Sequence, residues 1–255
     1  MTRVNGFIVF VFMSMVMLPS LATADDKPEK LGLSLGAGVS VSTSEYKGDG
    51  TGITPIPLLN YEGEYLFVRG LSAGAHLYKD DANEVSLVVS YLSQSFDASE
   101  SDNRAMQRLD DRDSSMSAGA AYSLRTDWGT AKLSLVADVL GTSNGFIADA
   151  SYAYPFKYSF LKLKPVAGIE WTSGDYNDYY YGVDANESLR SGLSGYEAES
   201  GFSPYLGLSV KIGLAQDFDL MLSTKTKWLS KEITDSPMVD RDVNHSFAAG
   251  LTYSF

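Results

Sequence analysis

The sequence predicts an all-β fold: a single transmembrane antiparallel β-barrel of twelve strands, with ten as the alternative. Three observations carry this. Segments of about ten residues alternate apolar and small polar side chains, divided by turn residues, along nearly the whole chain. The last of them, Asn244 to Phe255, sets Phe247, Ala249, Leu251, Tyr253 and Phe255 on one face and Ser246, Ala248, Gly250, Thr252 and Ser254 on the other. It stops on an aromatic, as the closing strand of an outer-membrane barrel does when its rings enter the interfacial girdle. Finally, past the amino terminus no apolar run reaches the roughly 20 residues a spanning helix needs, so spanning falls to strands.

At the amino terminus, Arg3, the apolar run Phe7 to Leu18 and the small-x-small site Ala22-Thr23-Ala24 have the layout of a secretory signal peptide. The expected division is therefore a signal peptide over 1–24 and a barrel domain over 25–255. Leu31 to Thr43 opens the barrel, with Leu33, Leu35, Ala37, Val39 and Val41 against Ser34, Gly36, Gly38, Ser40 and Ser42. Ile53 to Glu62 is extended but interrupted by Pro55 and Pro57. Tyr65 to Arg69 and Leu71 to Lys79 are two short strands. Glu84 to Phe96, Ser114 to Thr126, Thr130 to Gly141, Gly145 to Pro155 and Ser159 to Thr172 continue the alternation. Gly201 to Gly213 and Asp217 to Leu229 precede the closing strand. Long connections at Asp97 to Asp113, Ser173 to Ser200 and Ser230 to Val243 belong outside, and short ones such as Asp127-Trp128-Gly129 in the periplasm.

Composition excludes several functions. There are no cysteines, hence no disulfide scaffold, cysteine nucleophile or thiolate metal site. The net charge of −12 argues against nucleic acid as a partner, since phosphate binding needs clustered Lys and Arg. No cofactor is implied. The two histidines give no catalytic pair: His245 and Ser246 are adjacent, so a strand points them to opposite faces. His76 is expected inward beside Tyr78. The chain reads as a non-enzyme.

The alternation turns Arg125, Lys132, Lys162, Lys164, Lys211, Lys225 and Lys227 inward, with Asp138, Asp149, Glu170 and Asp219. These either pair and fill the lumen or line a narrow, weakly anion-selective passage; twelve strands lie between a filled barrel and an open pore. The acidity lies elsewhere: the three long loops hold sixteen of the 32 carboxylates, against six bases. Such a crown attracts cations or is simply solvated. Tyr179, Tyr180 and Tyr181, interleaved with acids, suit either a contact surface or a loop packed over the barrel mouth.

Four stretches carry a family resemblance: Asp235-Ser236-Pro237-Met238-Val239-Asp240, Asn177-Asp178-Tyr179-Tyr180-Tyr181-Gly182-Val183, Leu109-Asp110-Asp111-Arg112 and Asp127-Trp128-Gly129. They resemble the MltA-interacting protein family, MipA/OmpV, of Gram-negative outer membranes, over essentially the whole mature chain. The resemblance implies an outer-membrane location after export and a scaffold that joins a lytic transglycosylase to a murein synthase. The membrane's lipid and lipopolysaccharide and the barrel assembly machinery would be further partners. The assembly signal would be Phe247, Leu251, Tyr253 and Phe255. Asp235 and Asp240 flank Pro237, which stiffens the segment. They are expected to order the loops, facing Arg112, Arg190 and Arg241, or to bind cations.

Overall fold

The computed structural model describes residues 32–255 apart from residue 216, so the expected signal peptide lies outside the described residues. Twelve strands close into one antiparallel barrel. They are β1 (Gly32–Thr43), β2 (Thr51–Glu62), β3 (Leu66–Arg69), β4 (Ser72–Lys79), β5 (Asn83–Leu92) and β6 (Ser115–Thr126). Then come β7 (Gly129–Asp138) and β8, which runs Phe146–Ala153 and resumes as Phe156–Tyr158 beyond Pro155. The rest are β9 (Leu161–Thr172), β10 (Gly201–Ala215), β11 (Phe218–Trp228) and β12 (Val243–Ser254). Each pairs with its successor, and β12 returns to β1 from Ser34↔Ser254 to Ser42↔Ser246.

The expected faces are observed. Leu35, Val39, Leu133, Leu135, Phe247 and Leu251 are exposed on the outside, where lipid replaces water, and Ser40, Ser117, Ser209 and Ser246 are buried inside. One expectation fails. A register shift between His76 and Tyr78 turns both Leu77 and Tyr78 outward and brings Lys79 opposite Glu84. Tyr78 is therefore outside the barrel and His76 inside it.

The long connections are not plain loops. The first long one makes two short 3₁₀ turns, Ala98–Glu100 and Met106–Arg108. The longest makes α1 (Gly174–Tyr181) and α2 (Ala185–Ser191). The last makes α3 (Lys231–Thr234). Ser173 caps α1 by accepting from the Tyr176 N–H, and Asp184 and Glu187 form a reciprocal capping box on α2. Gly192, at φ +78°, ends α2 in the left-handed conformation that favours glycine. None of the described helices is long and apolar enough to cross a membrane.

The main apolar core lies at the outer mouth rather than between layers. Tyr46, Phe96, Met106, Leu109, Tyr176, Tyr180, Tyr181, Ile233, Met238 and Val239 come from four different connections. They pack on Leu92, Val136 and Ile147, which point inward from the tops of β5, β7 and β8. This is a lid, built by burying side chains that in a soluble protein would face a second sheet.

Candidate functional site

Two polar constellations stand out, one in the lid and one in the lumen. The lid is organised by two buried carboxylates. Glu187 receives the Arg112 guanidinium at 2.8 and 3.0 Å and the backbone N–H groups of Asp110 and Asp184 at 2.9 and 3.1 Å. Arg112 also donates to the Asp110 and Gly182 carbonyls, so this one pair joins the 93–114 and 173–200 connections. Glu45 accepts from Tyr181 Oη at 2.8 Å, Gln94 Nε2 at 2.9 Å and Asn244 Nδ2 at 2.9 Å. Burial pushes the phenols of Tyr46, Tyr176 and Tyr181 well above their usual range, and raises Tyr180 likewise.

Tyr180 and Tyr181 are lid core, with exposures of 0% and 3%, and Tyr179 is half-buried, its hydroxyl accepting from the Asp113 N–H. Tyr180 and Tyr181 help to close the mouth. The segment around Pro237 is ordered, but not by its aspartates. Ser236 Oγ donates to the Tyr181 carbonyl at 2.6 Å, Met238 is fully buried, and Lys47 Nζ donates to the Pro237 carbonyl at 2.8 Å. Asp235 pairs with Lys231 at 3.1 Å, both exposed, and the exposed Asp240 reaches the half-buried Arg241 only at 4.0 Å. Arg112 and Arg190 are engaged by Glu187 and Asp110. The expected pairing of Asp235 and Asp240 with Arg112 and Arg190 does not form, because acids nearer in space take those arginines.

Between the same two connections lies a cleft of about 600 Å³ lined by Asp110, Asp178, Tyr179, Asp184, Glu187, Tyr196 and Glu197. The Glu187 backbone N–H holds the Asp184 carboxyl below the usual range.

In the lumen, the structure pairs several expected charges. Lys211 meets Asp219 at 2.7 Å, Lys227 meets Glu170 at 3.1 Å, Tyr205 Oη donates to Asp149 at 2.8 Å, and Lys225 Nζ sits 4.0 Å from the Tyr205 ring centroid. Lys132 and Lys164 face inward opposite Ser151 and Ser209, and Lys162 opposite Lys211. Asp138 stands apart: it accepts from Ser115 Oγ and from the backbone N–H groups of Leu140, Ser143 and Asn144, and so shapes the β7–β8 connection.

The alternation also held a cluster that sequence reasoning passed over. Glu62 binds Arg69 at 3.0 Å, Lys79 at 2.5 Å and His76 Nε2 at 3.1 Å. Glu84 binds Arg69 at 3.0 Å and Arg125, with His76 Nδ1 at 3.5 Å. Glu62 is in phase with Asn60, and Glu84 with Ser86 and Ser90, so both were readable as inward. Glu62, His76 and Glu84 have metal-ligand chemistry, yet Arg69, Lys79 and Arg125 already neutralise both carboxylates. That donor set suits an internal salt-bridge network rather than an ion. His245 and Ser246 point to opposite faces, the first bonded to Thr226 Oγ1 and the second buried, so they form no dyad.

Comparison with known proteins gives a consistent picture. The family described as MltA-interacting protein MipA matches residues 35–255. The MltA-interacting protein of Escherichia coli (strain K12) is 39% identical over 222 residues, covering 87% of this chain and 90% of that one. YiaT of the same organism is 37% identical over 252 residues, 99% of each chain. Among solved structures, the translocator domain of the autotransporter NalP from Neisseria meningitidis superposes with a TM-score of 0.51 at 13% identity, over 91% of this chain and 90% of that one. The last likeness concerns the barrel fold alone.

Proposed function

Because the chain belongs to the MltA-interacting protein family and sits in the outer membrane, we propose that it is a non-enzymatic scaffold that holds a lytic transglycosylase, and with it a murein synthase, at the inner face of that membrane. The observation that carries this is the 39% identity, over most of both chains, to a relative whose name states that interaction. The architecture supports it: the outer mouth is filled by a packed lid, and short turns join the strands at the opposite end. Lipopolysaccharide surrounds the outer half. Phe247, Leu251, Tyr253 and Phe255, the last two with their rings in contact at 4.8 Å, serve the assembly machinery as its signal.

The test is binding of a purified MltA-type transglycosylase to the detergent-solubilised barrel, with the E. coli relative as reference. Retention within about tenfold of that reference, or about 1.4 kcal/mol, is expected. No retention where the reference binds would overturn the proposal. A second reading, a receptor for small organic cations, is favoured by the acidic, tyrosine-walled cleft between the outer connections.

A further inference from the structure

Among the described residues, the barrel wall is incomplete in its outer half between β2 and β5. The hairpin between them is short: β3 has four residues and β4 eight, against twelve in β2. β2 pairs with β1 from Thr51 to Glu62 but meets β3 only over Asn60, Tyr61 and Glu62. Across the gap, β5 meets β4 no higher than Ser90. The hairpin's upper limit is marked by the Gly70 N–H to Leu59 carbonyl bond at 2.8 Å and the Tyr91 N–H to Leu71 carbonyl bond at 3.1 Å. Above it, residues 51–58 of β2 have a described strand on one side only. At 3.3 Å per residue that is about 26 Å of edge.

A bare edge ordinarily recruits another strand. This one is built against it. The Leu59 carbonyl points toward the hairpin, and backbone groups alternate sides along a strand, so those of Ile53, Pro55 and Pro57 point into the gap. The two prolines stand where the edge would offer N–H groups, and they have none. A further strand would find carbonyls there but would lack two of the N–H groups it needs.

What remains is an apolar window. Ile53, 67% exposed, and the exposed Pro55 and Pro57 form its outward sill. Ile56 and Leu58 line it inside on β2, below the buried Thr54, and Leu92 faces inward across it on β5, above the last β4 contact at Ser90. Leu58 lies flat on the neighbouring wall, where a Cβ on Gly250 would come 2.5 Å from its Cδ1. The lid, with Tyr46 and Phe96 fully packed, closes the route from the external water. We propose that the gap is a lateral portal through which the acyl chain of an outer-leaflet lipid enters the upper lumen. The portal faces hydrocarbon, its lining is apolar apart from Thr54, and its edge disfavours the one competing occupant, a strand. The carbonyls left on the edge border the lumen, the setting in which unpaired backbone is tolerated at membrane depth. The proposal does not depend on the periplasmic partner.

The chain has no cysteine, so single-cysteine labelling tests it directly. Bimane is attached to Ile56→Cys and Leu58→Cys behind the window, to Ser134→Cys on the closed wall of β7, and to outward Ile53→Cys. Each variant is reconstituted in vesicles of phosphatidylcholine brominated on its acyl chains, with folding checked by heat-modifiable migration on gels. Quenching at 56 and 58 should approach that at 53 and exceed that at 134 several-fold. Quenching at 56 and 58 no greater than at 134 would overturn the portal. If Ile56→Cys fails to fold, Leu58→Cys decides alone.

Discussion

At the scale of single residues, the lid depends on Arg112 more than on any aspartate in the Pro237 segment. Glu187 is 2% exposed, and its charge is balanced by that one guanidinium. Removing one partner of a buried pair strands the other, at a cost of about 3–5 kcal/mol. Arg112→Ala should therefore raise amide exchange throughout α1 and α2, by about two to three orders of magnitude at 1.4 kcal/mol per decade. Asp240→Asn, at an exposed contact of 4.0 Å, should change exchange little. Hydrogen exchange followed by mass spectrometry separates the two; equal effects would place the Asp240 contact on a par with the buried pair. The sequence could not show this. Arg112 is one of three arginines in its connection, and only the fold selects which of them meets Glu187.

At the scale of elements, strands were legible and connections were not. Alternation of period two marked the strands, the order of long and short connections divided Tyr65 to Lys79 into two of them, and His76 was correctly turned inward. A bulge flips the phase of alternation beyond it, and β4 has too few residues after the bulge to reveal the flip; hence Tyr78 was set on the wrong side. The helices of the lid are short, of eight, seven and four residues, too few for a periodic signal. Their caps, Ser173 and Asp184 with Glu187, were the readable trace. The lid's tyrosines make a pH prediction. Burial raises Tyr46, Tyr176, Tyr180 and Tyr181, so the folded lid keeps its phenolic protons at a pH where the open chain loses them. Above about pH 10, the ordinary tyrosine value, the open form binds fewer protons and lid stability falls as pH rises. Protease cleavage within 173–200 should therefore accelerate above that pH. The same digestion of a Tyr46→Phe variant, with one fewer buried phenol, should show a shallower rise; an unchanged profile would argue that the lid does not open as a unit.

At the scale of the whole molecule, charge is partitioned. The chain is −12 overall, yet the described inward-facing side chains of the wall hold more cations than carboxylates, so the external surface is more acidic than the total suggests. If the cleft beside Tyr179 receives organic cations, spermidine should bind the solubilised barrel more weakly when Asp178→Asn and Glu197→Gln are combined. It should also bind more weakly as salt rises and the screening length falls from about 10 Å at 0.1 M to about 3 Å at 1 M. Calorimetric titration that finds the variant and wild type alike would exclude the cleft. One feature of the same wall bears on biogenesis. β1 has its second neighbour in β12, through pairs such as Ser34↔Ser254, 220 positions apart along the chain. The first strand to leave the export channel must wait for the last. Until translocation is complete its edge stays open, so a prematurely terminated chain has no partner for β1 and is exposed to proteolysis and aggregation in the periplasm.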